Sequence, residues 1–451
     1  MNTLERLRSG KLAGSRRLTL ACGLQEFPPE IFDLAATLEI LDLSGNALSS
    51  LPADLPRLQK LRILFCSDNQ FTELPAVLGQ CEQLSMVGFK ANRIRTVPGA
   101  ALPAALRWLI LTDNQIEELP ADIGRCTRLQ KLMLAGNRLR TLPQELAACT
   151  QLELLRIAAN LLTELPASLL ALPKLSWLAY AGNPFCERRG MATLTATPIA
   201  SIHWDRLQVQ HQLGEGASGV IHQAQLRSSE GVQLVAVKLF KGAVTSDGWP
   251  QSEMAACIRA GAHANLIPLL GQVLAHPAGV NGMVMPLIDP GFRNLAQPPS
   301  LDSCTRDIYA ADTRFDLATA LRMALGIASA ARHLHAQGLM HGDLYAHNIL
   351  HCGQGTALLG DFGAASFLAP QDRQQAHALQ RIEVRAFACL LEELLERCSA
   401  PADSAHTLQT LTHLKTACLQ EETGARPLFD EIEQILMNLA AVQAGVAPRT
   451  F

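Results

Sequence analysis

Nowhere in its 451 residues does the chain hold the roughly 18 to 20 consecutive apolar residues of a membrane-spanning helix. Its opening, MNTLERLRSGKLAGSRRLTL, alternates charge with leucine and lacks the apolar core of a secretion signal. A surplus of positive charge is missing too. The 38 Lys and Arg against 41 Asp and Glu, with a pI near 6.5, leave no basic footprint for nucleic acid or an anionic membrane. None of the 12 cysteines falls in a C-x-x-C pair or a zinc-type Cys/His spacing. Cys81, Cys126 and Cys149 stand where sister segments carry Leu58 or Leu172, so they read as small buried hydrophobes with reduced thiols. A cytoplasmic setting is the matching expectation. What is present suits a soluble globular chain: 48% hydrophobic and 18% charged residues, with length for two or three domains.

The first half repeats itself. LEILDLSGNALSSLPADLPRL recurs as LRILFCSDNQFTELPAVLGQC, LRWLILTDNQIEELPADIGRC and LQKLMLAGNRLRTLPQELAAC. One asparagine holds register seven times, at Asn46, Asn69, Asn92, Asn114, Asn137, Asn160 and Asn183, with gaps of 23, 23, 22, 23, 23 and 23 residues. Free-standing amphipathic helices would not keep that register. A unit this short cannot bury its own core, so units must stack. In each, a short strand such as Leu41 to Leu43 points leucines inward, the asparagine satisfies buried backbone groups, and proline then directs the chain along the convex side. SRRLTLACGLQEFPPEIF reads as a shortened first unit without its asparagine, and GNPFC as a closing turn. Residues 15 to 190 closely resemble the leucine-rich repeat family.

Strand positions that alternate with the buried leucines should face the concave side. They are Ile63, Phe65, Met86, Trp108, Ile110, Met133 and Trp177, alongside Asp42, Lys90, Lys131 and Arg156. Aromatic and methionine side chains there are the residues expected of a protein-binding surface. The partner surface is accordingly assigned to Phe65, Met86, Trp108, Ile110, Met133 and Trp177.

After a linker lacking the period comes LGEGASGVIHQAQL and then VQLVAVKLF. Gly214, Gly216 and Gly219 lie between two β-rich runs, as a hairpin requires, and such a loop lets backbone N–H groups approach phosphate oxygens. Lys238 sits inside an apolar strand, where an unpaired ammonium is costly unless phosphates and a carboxylate meet it. Glu253, in the helical stretch SEMAACIRA, is the expected carboxylate. Further on are GMVMPLI, then a periodic helix leading into HGDLYAHNIL, and then ALLGDFGAA, where Asp361 precedes a glycine hinge.

Five such motifs in this order resemble the eukaryotic-like protein kinase family over residues 205 to 440. That resemblance implies Lys238 on the α- and β-phosphates with Glu253 orienting it, Asp343 on the attacking hydroxyl, and Asn348 and Asp361 on Mg²⁺. It also implies an ATP site formed by Gly214, Glu215, Gly216, Gly219, Ile221, Ala236, Lys238, Met285, Leu287 and Leu350, with Met285 as gatekeeper. TGARPLFDEI, with Arg426, matches the Arg-Pro stretch of the family's C-terminal helices.

Three places depart from the family. Gly342 replaces the arginine that clamps a phosphorylated activation loop, so no such switch is expected. Tyr345 replaces the lysine that in many Ser/Thr kinases touches the transferring phosphate. A helix like kinase helix F is expected to begin near Glu383, only 22 positions after Asp361. This abbreviated, bacterial-type interval leaves Ala369 to Gln371 as a relic of A-P-E, and Glu383 either bracing the catalytic loop or pairing with Arg426. H-G-D-L also occurs in small-molecule phosphotransferases.

The reading is an α/β leucine-rich repeat solenoid over 1–190, a linker over 191–204, an α+β bilobal protein-kinase-like domain over 205–442 and a tail over 443–451. The implied activity is an ATP- and Mg²⁺-dependent protein kinase, serine/threonine by default because DLYAHN lacks the loop signature of tyrosine kinases. The alternatives are a pseudokinase scaffold and a small-molecule phosphotransferase. The cluster His333, His335, His341, His347 and His351 reads as helix and strand packing rather than a metal site.

Overall fold

A computed structural model describes residues 2–186, 199–216, 218–229, 231–242, 245, 247–369, 372–399 and 404–443. Positions 370 and 371 of the A-P-E relic read at Ala369 to Gln371, most of the linker and the tail beyond 443 lie outside the described residues. The chain forms two compact units, Met1–Leu175 with Asn183–Phe185, and Ser176–Gly182 with Cys186–Phe451.

In the first unit, three-residue strands pair in parallel from Arg17–Thr19 through Ile40–Asp42, Ile63–Phe65, Met86–Gly88, Trp108–Ile110 and Lys131–Met133 to Leu154–Arg156. Leu41, Leu64, Leu109, Leu132 and Leu155 are the buried central residues of those strands. Each asparagine does the same work. Asn137 Nδ2 donates to Leu111 O and Leu134 O, both at 2.9 Å, while its Oδ1 accepts from Ile116 N at 3.0 Å. The set repeats one coil on, where Asn160 bonds Leu134 O, Ile157 O and Leu139 N. Groups that a three-residue strand cannot pair are thereby satisfied. Prolines then start short 3₁₀ turns on the far side: Pro75, Pro120 and Pro143 precede Ala76–Gln80, Ala121–Arg125 and Gln144–Ala148 with φ between −61° and −68°. The shortened first unit forms its strand, and Asn46 accepts from Cys22 N and Leu24 N in place of the asparagine it lacks. Cys81, Cys126 and Cys149 are buried free thiols, with burial pushing Cys81 up to about 11 and Cys149 up to about 12.

Strand alternation overstates the exposed face. Phe65, Trp108, Ile110 and Met133 are half-buried, with Lys131 Nζ 4.2 Å from the centre of the Trp108 ring. Met86, Ile63, Arg156 and Trp177 are buried and offer no open surface. A stacked coil covers a strand side chain with those in register on the strands before and after it, and Met86 lies in register between Ile63 and Trp108.

The second unit begins with a six-stranded sheet. Leu207–Glu215, Gly219–Ser228 and Gly231–Phe240 run antiparallel, followed by Gly282–Pro286, Gly271–Leu274 and Ser201–His203. Val235, Val237, Ala224 and Val284 bury one face, and helix Pro250–Ala260 packs Met254 and Ile258 against Phe240 and Met283. The remainder is mainly helical, Leu317–Ala336, Arg373–Glu396, Ala405–Cys418 and Phe429–Gln443, with short strand pairs between the helices. Leu317–Ala336 is capped by Asp316, whose side chain accepts from Thr319 N at 2.6 Å. The architecture is thus a leucine-rich repeat solenoid followed by an α+β kinase-like domain of two lobes. Among the described residues, no helix is long and apolar enough to cross a membrane.

Candidate active site

The glycine hairpin closes through Gly216 N donating to Gly219 O at 2.9 Å. Its glycines do different jobs. A Cβ at Gly214 or Gly216 would meet nothing within 4 Å, whereas one at Gly219 would stand 2.6 Å from Leu239 O and 3.3 Å from Lys238 Cγ. Gly219 therefore lets the hairpin lie directly on the strand that carries the lysine. Ile221 is in register with Lys238, and Ala236 with Met285, which places these residues on neighbouring strands. Leu287 follows the Met285 strand, and Leu350 lies on Ile349–His351, both half-buried. Glu215 instead forms an exposed ion pair with Lys241 and accepts from Gln212 Nε2, a surface arrangement at the hairpin's mouth.

Lys238 is 6% exposed, so its ammonium must be met. Nζ lies 2.5 Å from Glu253 Oε1 and 3.5 Å from Asp361 Oδ1. Burial alone would lower this ammonium, but the Asp361 and Glu253 carboxylates outweigh it and hold Lys238 above its ordinary value. Glu253 reaches it from the first turn of Pro250–Ala260, a helix with proline at its first position. Asp361 takes a left-handed backbone, φ +55°, and its Oδ1 also accepts from Gly363 N at 3.2 Å. Phe362 beside it is buried, its ring centre 5.2 Å from that of His341.

The loop holding Asp343 is fixed from several sides. His341 Nε2 meets Gly360 O at 3.0 Å, and Gly360 N donates to Asn348 O at 3.0 Å, which ties the loop to the strand before Asp361. Asn348 Nδ2 donates to Asp343 O at 2.9 Å and to Asp343 Oδ2 at 2.8 Å. Glu383 accepts from Gly342 N at 2.7 Å and contacts His335 Nε2 at 2.8 Å. It braces the loop that carries Asp343. Arg426 bonds the carbonyls of Gln420 and Arg381.

The structure thus gathers Lys238, Glu253 and Asp361 in one bonded group and Asp343 with Asn348 in another, joined through Gly360. Sequence reasoning missed two contributors. Asp307 accepts from His347 N at 2.9 Å and from its ring Nδ1 at 2.7 Å, which anchors the residue before Asn348. Burial would lower His347, but the bond to Asp307 outweighs it and holds the imidazole above its ordinary value. Nothing in SCTRDIYAADTR marks that aspartate, because the pairing is set by the fold and not by spacing. Segment 176–182, read as the strand of a repeat, is the other. The remaining histidines pack: His333 meets Ala260 O, and His351 lies edge-on to Phe315.

Among the described residues, no three His, Cys, Asp or Glu side chains gather into a metal cage. The donor set does suit Mg²⁺. With Asn348 Nδ2 turned to Asp343, the amide's carbonyl oxygen is left as a hard donor, and the Asp361 side chain is half-exposed. Mg²⁺ is commonly bound by one or two protein oxygens plus phosphates and water.

Residues 207–397 match the family model described as protein tyrosine and serine/threonine kinase, and residues 104–162 and 37–58 match leucine-rich repeat models. The chain is 29% identical over 164 residues to the serine/threonine-protein kinase A-Raf of Mus musculus, covering 36% of this chain and 24% of that protein. It is 28% identical over 165 residues to the activated Cdc42 kinase-like protein of Drosophila melanogaster, covering 36% and 12%. It is 26% identical over 153 residues to the serine/threonine/tyrosine-protein kinase HT1 of Arabidopsis thaliana, covering 26% and 39%. The similarity spans well under half the length of each of these relatives. The chain therefore carries leucine-rich repeats in its N-terminal part and, after them, a protein tyrosine and serine/threonine kinase domain.

Proposed function

We propose that the second unit transfers the γ-phosphoryl group of ATP to a protein hydroxyl, with serine or threonine as the default acceptor. The observation that carries this reading is the buried Lys238 ammonium held between Glu253 and Asp361, with Asp343 and Asn348 bonded to each other alongside. Lys238 would hold the α- and β-phosphates, and Glu253 would keep its ammonium in place. Gly214, Gly216 and Gly219 would bring backbone N–H groups to the triphosphate, between Ile221, Ala236, Met285, Leu287 and Leu350 around the base. Asn348 and Asp361 would hold Mg²⁺, which when bound supplies charge neutralisation at the β- and γ-oxygens. Asp343 would orient the acceptor hydroxyl and take its proton as the new O–P bond forms and the bond from the γ-phosphorus to the β–γ bridging oxygen breaks.

The half-exposed repeat residues Phe65, Trp108, Ile110 and Met133 would recruit a protein substrate or partner. A cytoplasmic location fits the free thiols. A scaffold without catalysis is disfavoured because Lys238, Glu253, Asp343, Asn348 and Asp361 are all present.

The test is incubation of the purified chain with γ-labelled ATP and Mg²⁺ beside candidate proteins, followed by mass-spectrometric mapping of the label. Label on serine or threonine is the expected result. Label on tyrosine alone would overturn the acceptor assignment, and label only on small molecules would favour the other phosphotransferase class. Tight nucleotide binding without transfer would establish the scaffold.

A further inference from the structure

The two sequence departures at Gly342 and Tyr345 have one physical cause. Segment Ser176–Gly182, by sequence the strand of the last repeat, belongs to the second compact unit. A Cβ on Gly342 would lie 2.6 Å from Leu178 O and 2.6 Å from Ala364 O, and Gly342 has φ +75°. An arginine there has neither the backbone conformation nor the room. The place its side chain would fill is lined by two carbonyl oxygens, which repel a phosphate. Tyr345 stacks on Trp177 with ring centres 4.0 Å apart and planes 8° apart, and both residues are buried.

The same segment holds both halves of the site. Trp177 Nε1 donates to Leu344 O at 3.1 Å, next to Asp343. Tyr180 N donates to Ser366 Oγ at 3.1 Å and Tyr180 OH donates to Phe367 O at 3.1 Å, just beyond Gly363. Ser366–Phe367 in turn pairs antiparallel with Leu339–Met340, the strand leading into the catalytic loop. One short strand therefore fixes the loop on both sides of the acceptor-site aspartate and the segment after Asp361. In switchable enzymes that alignment is made by a phosphorylated residue pairing with arginine.

We propose that Trp177 and Tyr180 are positioning residues, forming a permanent brace that keeps the catalytic loop and the shortened segment after Asp361 aligned for transfer without phosphorylation. The claim that this alignment serves phosphoryl transfer rests on the function proposed above; the brace itself does not.

The test uses the full chain as wild type, Trp177→Ala, Trp177→Phe and Tyr180→Phe. Hydrogen exchange at residues 341–348 and 364–368 reports the brace, and steady-state kinetics with Mg·ATP report its use. Trp177→Ala should exchange at least about tenfold faster in both segments. Its kcat should fall by about two orders of magnitude while the KM for ATP stays within about twofold, because alignment and not nucleotide binding is lost. Trp177→Phe keeps a stacking ring but not the Nε1 bond, so it should recover part of the protection and of kcat. Tyr180→Phe removes one hydroxyl and should loosen 364–368 more than 341–348, which decides the matter even where Trp177→Ala does not fold. Unchanged exchange in both segments would overturn the brace, as would a KM for ATP rising in step with the loss of kcat. Faster exchange in a chain whose wild type transfers no phosphate would uphold the brace and overturn the transfer reading.

Discussion

The repeat unit and the kinase-like unit solve the burial of polar groups in opposite ways. In the repeats one residue type meets the same kind of partner in every coil: Asn114, Asn137 and Asn160 each accept from a backbone N–H 20 or 21 residues earlier and donate to a carbonyl 25 or 26 residues earlier. In the second unit the buried charged groups around the site each have partners of their own. Lys238 needs Glu253, Glu383 needs His335 and the Gly342 N–H, and Asp307 needs His347. Redundant bonding makes a scaffold in which one coil resembles another. Unique bonding concentrates charge where its placement matters, which is the condition for chemistry.

The largest effect on stability should come from Lys238→Ala, which strands Glu253 in the interior. Removing one partner of a buried pair costs about 3–5 kcal/mol. Urea denaturation of Lys238→Ala, Glu253→Ala and the double variant should show the double variant less destabilised than the sum of the singles. Additive losses would mean the pair is not coupled. Next is Asn137→Ala, which leaves two carbonyls and an N–H of the stack unsatisfied and should cost about 1–3 kcal/mol. The same change at the half-buried Asn46 should cost less, because water reaches its partners. Equal losses would contradict the burial argument.

Acid should act on the second unit through Glu383. Burial would raise this carboxylate, but the bond from His335 and the charges of His335 and His341 outweigh it, so it is held below its ordinary value of 4.5. A depressed folded-state value contributes stability that is present above about pH 4.5 and lost as the pH falls through the lowered value. The thermal midpoint of the wild type should therefore approach that of Glu383→Gln as the pH is lowered, and a constant difference would count against the pairing. The smallest effect should be Arg57→Ala in the repeats. Its bond to Asp54 at 2.9 Å joins two exposed side chains, and such pairs contribute about 0–1 kcal/mol.

Legibility followed the same division. The period of the asparagines specified the coils, and every asparagine was found bonded as the unpaired backbone demands, because repetition puts the same physical requirement into the sequence seven times. In the second unit the motif order singled out Lys238, Glu253, Asp343, Asn348 and Asp361, which the fold brings into two bonded groups linked through Gly360. Asp307 and Tyr180 left no local pattern, since their partners lie 40 and 187 residues away along the chain. Period-2 alternation placed Trp177 on an open face, yet its ring is covered by Tyr345, a contact that no property of the repeat encodes. Gly342 and Tyr345 were visible as departures, and only coordinates supplied their shared reason.

The most direct measurement compares γ-phosphate transfer by the full chain with that by Asp343→Asn and Asp361→Asn at saturating Mg·ATP. Asp343→Asn should still bind nucleotide while kcat falls by about 10²–10⁴-fold, and Asp361→Asn should lose the Mg²⁺ dependence of ATP binding along with transfer. Transfer at the wild-type rate by Asp343→Asn, or ATP binding by the wild type that is indifferent to Mg²⁺, would contradict the assignment of these residues to a phosphotransferase site.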